Sequence, residues 1–202
     1  SDYFISLLIL PFIARKLGPE ELGLVAFSQL FSILQLLFMN FGLELTATRK
    51  IAKIKNEKQA LKRFINKTYS FKILLIPFIL FMSSLLLFLP SPISSKPHYI
   101  LIVLVGVVFQ GLTPSWFFQG IESLKHIALS KIFFRFVALI LILLLVKLKN
   151  DGWIFLAINS FTSISIFIFL FLSMIKNIGM IKPYFFKDII SFLNELKSGF
   201  FI

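Results

Sequence analysis

The chain has 202 residues, of which 58% are hydrophobic and only 15% charged, with 27 Phe, no Cys and a formal net charge of +12. A soluble domain keeps roughly a quarter of its residues charged, so a mean hydropathy of +0.93 excludes a water-soluble core. Lack of cysteine excludes disulfides, thiolate nucleophiles and Cys-bound metals, and in so apolar a chain the positive charge points to anionic headgroups and span orientation rather than nucleic acid.

The apolar residues fall in blocks, the mark of membrane-spanning helices. The first run, residues 3–14, has 12 residues, or about 18 Å of helix against roughly 30 Å of hydrocarbon. It is expected to be the last part of a longer span. It ends in Arg15, Lys16, Leu17 and Gly18, which does not read as a signal-peptide cleavage site. Gly18 and Pro19 then supply a tight reversal. Span two is expected over residues 22–43, with Gln29, Ser32, Gln35 and Asn40 broadly on one face that looks into the bundle, because polar groups in lipid need partners.

Residues 44–72 alternate nine Lys and Arg with apolar residues at helical spacing and read as a basic amphipathic segment along a membrane surface. Further spans are expected at 73–89, 98–118, 131–146 and 153–175, and residues 176–202 as a linker helix with the start of a seventh. Histidines 98 and 126 have no metal-ligand spacing and read as interfacial residues. Of the 21 Lys and Arg, 16 fall in one set of alternate loops and 5 in the other. By the positive-inside rule the even-numbered spans exit to the cytoplasm and the N-terminus is cytoplasmic.

Three stretches carry a family resemblance: LILPFIARKLGPEELGLVAFSQ at residues 8–29, NFGLELTATRKIA at 40–52 and PSWFFQGIE at 114–122. They resemble Wzx-type O-antigen flippases, of the polysaccharide-transporter branch of the MOP superfamily. The resemblance implies an all-α, polytopic membrane helical bundle, with residues 1–175 as the N-terminal six-helix lobe, cut at both ends. It also implies location in the bacterial inner membrane and alternating access. The implied cargo is an undecaprenyl-diphosphate-linked oligosaccharide moved across the lipid bilayer, with a polysaccharide polymerase and a chain-length regulator as further partners and no cofactor.

A diphosphate crossing a low-dielectric layer calls for fixed cations or strong donors. Arg135, between Phe134 and Phe136, is a candidate phosphate ligand, or else snorkels to the interface. Arg49 is a second candidate, or one more topogenic cation. Trp116 or Phe117 stacks on a sugar while Gln110 and Gln119 bond its hydroxyls, with Gln35 and Asn40 facing the same interior; the alternative is an aromatic belt at the headgroups. Glu44 and Glu122 are candidate gate residues that pair with Arg49, Lys131 or Arg135, or are rim salt bridges of little worth. Pro114 loosens the helix ladder beside them.

Two other functions fit a polytopic chain. A MATE-like exporter of cations would need buried carboxylates, which are scarce here. An integral enzyme of the same pathway, a glycosyltransferase or an O-antigen polymerase, would need an acidic pair or a His at an accessible site, and the outward loops leave little room. No phosphate-binding loop for ATP is present.

Overall fold

A computed structural model describes residues 2–40, 42–88, 93 and 96–179. Those residues are all-α: α1 (Asp2–Asn40), α2 (Leu43–Ile54), α3 (Lys58–Phe88), α4 (His98–Leu112), α5 (Ser115–Gly120), α6 (Leu124–Leu145) and α7 (Gly152–Ile178). Five stretches within them, beginning with Pro11–Asn40 and ending with Gly152–Ile178, are long and apolar enough to cross a bilayer. Their outer faces carry side chains that water would not tolerate together: Leu30, Leu37, Phe81 and Phe133 are 67, 63, 62 and 62% exposed. The protein is a multi-pass membrane bundle whose outer solvent is lipid.

Each interruption has a local cause. α1 is two helical arms, 2–17 and 19–40, joined at Gly18, whose φ of 76° and ψ of 172° suit a residue without a Cβ. Gly42, with φ 71°, starts α2. Between α4 and α5, Pro114 has no N–H to continue the ladder, and the chain breaks at Thr113–Pro114.

The helix boundaries differ from the sequence reading in three places. Residues 44–72 do not lie as one surface segment. The chain turns after Ile54, where Glu57 N–H donates to the Ile54 carbonyl at 2.9 Å, and α3 then runs unbroken through the expected third span. No residue from Lys58 to Tyr69 breaks a helix, and Pro77 costs only one ladder bond. With 31 residues α3 is about 46 Å long, more than the roughly 30 Å of hydrocarbon, so its first turns stand outside the membrane. The expected fourth span is broken at Pro114, and α6 starts at Leu124 rather than 131. The expected linker helix and seventh span lie, from residue 180 on, outside the described residues.

Burial divides into two cores. One, within the bundle, joins Val25, Met39, Ile79, Tyr99, Val107, Ile142 and Leu156. The other gathers Ala47 and Ile51 of α2, Phe64 and Tyr69 of α3, Trp116 and Phe118 of α5, and Leu170 and Met174 of α7. Small residues let helices approach, as packing without a hydrophobic drive requires: a methyl group on Gly106 would lie 2.6 Å from Ser160 Oγ, and that hydroxyl donates across to the Ile102 carbonyl at 2.8 Å.

The bundle end away from α2 and α5 is held by polar contacts. Glu21 is buried there and accepts hydrogen bonds from Lys96 Nζ at 2.5 Å and from the Tyr99 hydroxyl. Asp151 accepts the backbone N–H groups of Lys147 and Leu148 at 2.8 and 2.7 Å, closing the turn into α7.

Candidate functional site

The second arm of α1, α4, α6 and α7 enclose a cavity of about 420 Å³. In a chain this apolar its walls are unusual. α1 contributes Gln29, Ser32 and Asn40; α4, Gln110; α6, Lys131 and Arg135; α7, Asn159, Ser160 and Ser163. Glu44 of α2, with Thr113 and Ser115 at the α4–α5 break, forms one end. The helices present these groups inward because the opposite face of each meets lipid or the apolar core.

The hydroxyls are partly spent on the helices that carry them. Ser32 donates to the Gln29 carbonyl at 2.6 Å, Ser163 to Asn159 at 3.1 Å and Thr113 to Phe109 at 2.9 Å, leaving lone pairs free to accept. The charged groups are not spent. Among the described residues neither Lys131 nor Arg135 has a carboxylate within ion-pair distance, and Glu44, near enough to Lys72 to act on its charge, has no cation within that distance. The wall therefore holds two cations, one carboxylate and several amides with donors and acceptors to offer, suited to an anionic, hydroxyl-rich solute.

Of the residues the sequence singled out, Arg135, Lys131, Gln110, Gln29, Ser32, Asn40 and Glu44 meet in this cavity, and Arg49, Gln35, Trp116, Phe117, Gln119 and Glu122 do not line it. Gln35 is fully buried between helices, donating from Nε2 to Ser83 Oγ at 2.7 Å and to the Ile79 carbonyl at 3.3 Å. The reason is angular: at about 100° per residue Asn40 returns to within about 20° of Gln29, whereas Gln35 is turned about 120° away. Trp116 and Phe117 are 0 and 1% exposed and pack in the second core, with the Trp116 ring 5.9 Å from that of Tyr69. They are structural rings rather than a sugar platform or a headgroup belt.

Gln119 is exposed outside the cavity, where its Oε1 lies 3.3 Å from Thr48 Oγ1. Arg49 is exposed on α2 and does not line the cavity. Glu122 pairs with Lys55 at 3.0 Å rather than with Arg49, Lys131 or Arg135, because the turn after α5, where Glu122 has φ 60°, carries it to the α2 side. Pro114 is the break itself. No cluster of metal-binding side chains occurs among the described residues, and His126 is stacked on Phe118 with centroids 5.3 Å apart.

The sequence reading does not single out Asn159, Ser160 and Ser163 of the cavity wall, nor Lys72. Lys72, taken for part of a surface segment, has 0% exposure. Its ammonium donates to the Gly111 carbonyl at 2.5 Å and to Asn40 Oδ1 at 3.2 Å, just behind the cavity wall.

Comparison with known proteins gives concordant matches. A family described as polysaccharide biosynthesis protein matches residues 1–202. A protein of Escherichia coli (strain K12), provisionally named an O-antigen transporter, is 32% identical over 154 residues, covering 75% of this chain and 36% of that protein. Another of the same name from Shigella dysenteriae is 30% identical over 157 residues, 75% of this chain and 38% of that one. The chain thus spans little more than a third of the curated relatives it matches. No solved structure gives a significant match. The resemblance to O-antigen flippases read from the three motifs is borne out by these matches.

Proposed function

Because the chain belongs to the polysaccharide biosynthesis protein family, we propose that it forms one lobe of a flippase for undecaprenyl-diphosphate-linked oligosaccharides in the bacterial inner membrane. The end bearing α2 and α5 faces the cytoplasm, which agrees with the bias of basic residues between alternate loops, 13 against 5 once the interior Lys72, Lys131 and Arg135 are set aside from the 16. The cargo's diphosphate enters there and is held by Arg135 and Lys131. Gln29, Gln110, Asn159 and Ser163 exchange hydrogen bonds with sugar hydroxyls, while the polyprenyl tail stays in lipid. Release to the other leaflet follows alternating access against a second lobe, with a polymerase and a chain-length regulator as downstream partners.

The observation that carries this reading is Arg135: a guanidinium on a polar cavity inside an apolar bundle, with no carboxylate partner among the described residues. A cation held this way costs stability unless an anion visits. Two cations beside one carboxylate also disfavour a cationic drug as cargo.

The test replaces Arg135 with Ala and with Lys in the full-length protein, in a strain whose surface polysaccharide depends on it. At matched membrane abundance, Arg135→Ala is expected to abolish most surface polysaccharide. Arg135→Lys should keep part of it, having the charge but not the bidentate fork. Normal polysaccharide in both variants removes the reading's main support.

A further inference from the structure

The break between α4 and α5 exposes the last carbonyls of α4, which need donors. All four have one. Thr113 Oγ1 donates to Phe109 O at 2.9 Å and Thr113 N–H to Gln110 O at 3.2 Å. α3 supplies the other two: Lys72 Nζ to Gly111 O at 2.5 Å and the Tyr69 hydroxyl to Leu112 O at 3.1 Å. A cation here also meets the negative end of the α4 dipole.

The same ammonium bonds Asn40 Oδ1 at 3.2 Å, and Asn40 is the last residue of α1, just before the left-handed Gly42. Lys72 therefore grips two helices, each at the last turn before its chain breaks. Beyond the two breaks lie α2 and α5, which pack on each other: Thr48 Oγ1 lies 3.3 Å from the Trp116 carbonyl, and Gly120 abuts Ile51. Glu44, Thr113 and Ser115, next to the breaks, form one end of the cavity.

We propose that Lys72 is a positioning residue: by tying the ends of α1 and α4 to α3 it sets where α2 and α5 hang, and so the shape of the cavity end lined by Glu44, Thr113 and Ser115. It does not touch cargo, having no exposed surface. Its weight in transport rests on the flippase reading above. Its hold on the cavity end does not.

The experiment uses the full-length protein in native membranes, with any cysteine outside this chain replaced. Single Ser115→Cys or Ser163→Cys substitutions are labelled with a membrane-impermeant thiol reagent, with Lys72 intact or as Lys72→Met. Methionine keeps the unbranched apolar stem and removes both bonds. The expected result is a change of about tenfold or more in labelling rate at Ser115→Cys, the scale set by losing hydrogen bonds from a charged donor, with no change at Ser163→Cys. Surface polysaccharide should fall at matched abundance. Unchanged labelling at Ser115→Cys, or an equal change at both positions, overturns the proposal; a shift at Ser115→Cys alone with full polysaccharide in a strain that needs the protein supports the hold on the cavity end and removes its weight in transport. Should Lys72→Met fail to accumulate, Asn40→Ala, which removes one bond, is read the same way; if neither accumulates, Lys72 serves folding alone and the proposal falls. A labelling shift in a strain whose polysaccharide does not depend on the protein rejects the flippase reading and leaves the role of Lys72 standing.

Discussion

Gly120 of α5 lies so close to α2 that a methyl group on it would stand 2.5 Å from Ile51 Cγ2 and 3.0 Å from the Thr48 carbonyl. The backbone oxygen cannot swing aside, so any side chain here pushes the two helices apart. Gly120→Val is expected to destabilise by about 1–3 kcal/mol through overpacking. The midpoint of thermal unfolding in detergent should fall with it. Gly23 is the control: nothing lies within 4 Å of a Cβ there, and Gly23→Ala should be neutral or stabilise by about 0.5–1 kcal/mol.

Gln35 and Ser83 make a buried polar pair across α1 and α3, 2.7 Å apart. Removing Gln35 strands the Ser83 hydroxyl, whereas removing Ser83 leaves Gln35 Nε2 its longer bond to the Ile79 carbonyl. Gln35→Leu alone is expected to cost about 1–3 kcal/mol, whereas Gln35→Leu with Ser83→Ala should recover much of it. A double-mutant cycle on unfolding midpoints measures the coupling. Surface polysaccharide should track abundance in all three variants, since neither residue reaches the cavity.

Two carboxylate–lysine pairs among the described residues, at opposite ends of the bundle, should behave differently. Glu21 is buried, with side-chain exposure of 7% against 29% for Lys96, and it also receives the Tyr99 hydroxyl. Glu21→Gln should lower stability by about 3 kcal/mol, the cost of stripping one member from a buried pair. The Lys55–Glu122 pair is 37 and 75% exposed, and Glu122→Gln should change stability by no more than about 1 kcal/mol, less at high salt. Thermal unfolding at low and high ionic strength separates the two cases.

Trp116 tests packing against sugar stacking. Buried at 0% between Tyr69 and α2, it should cost about 3–5 kcal/mol as Trp116→Ala, seen as lost membrane abundance. On the proposed flippase reading, any Trp116→Phe protein that accumulates should carry cargo normally per molecule. A selective transport defect at normal abundance would restore the ring to the site.

The membrane bundle was legible because its signal is mass effect: long apolar blocks separated by basic loops. Arg135, Gln110 and Asn40 were legible for the converse reason, each being a polar side chain inside such a block. Lys72 was not, because it closes the run of nine basic residues that begins at Arg49 and reads as the end of that surface. Its stripe shows the difference: Ile65, Tyr69, Lys72, Ile79 and Ser83, all buried, recur at the spacing of one helical face. Trp116 misled for a different reason. Pro114 turns α5 beneath the bundle onto α2, and the pairing of two short helices distant in sequence leaves no periodic trace.

The division of burial into two cores has a consequence for cooperativity. Leu112 packs against both, and α3, α6 and α7 each run through both, whereas α2 and α5 contribute to the second alone. Backbone amides of α2 and α5 answer to one opening free energy and those of the lipid-embedded helices to another. A denaturant confined to water acts on the first and scarcely reaches the second.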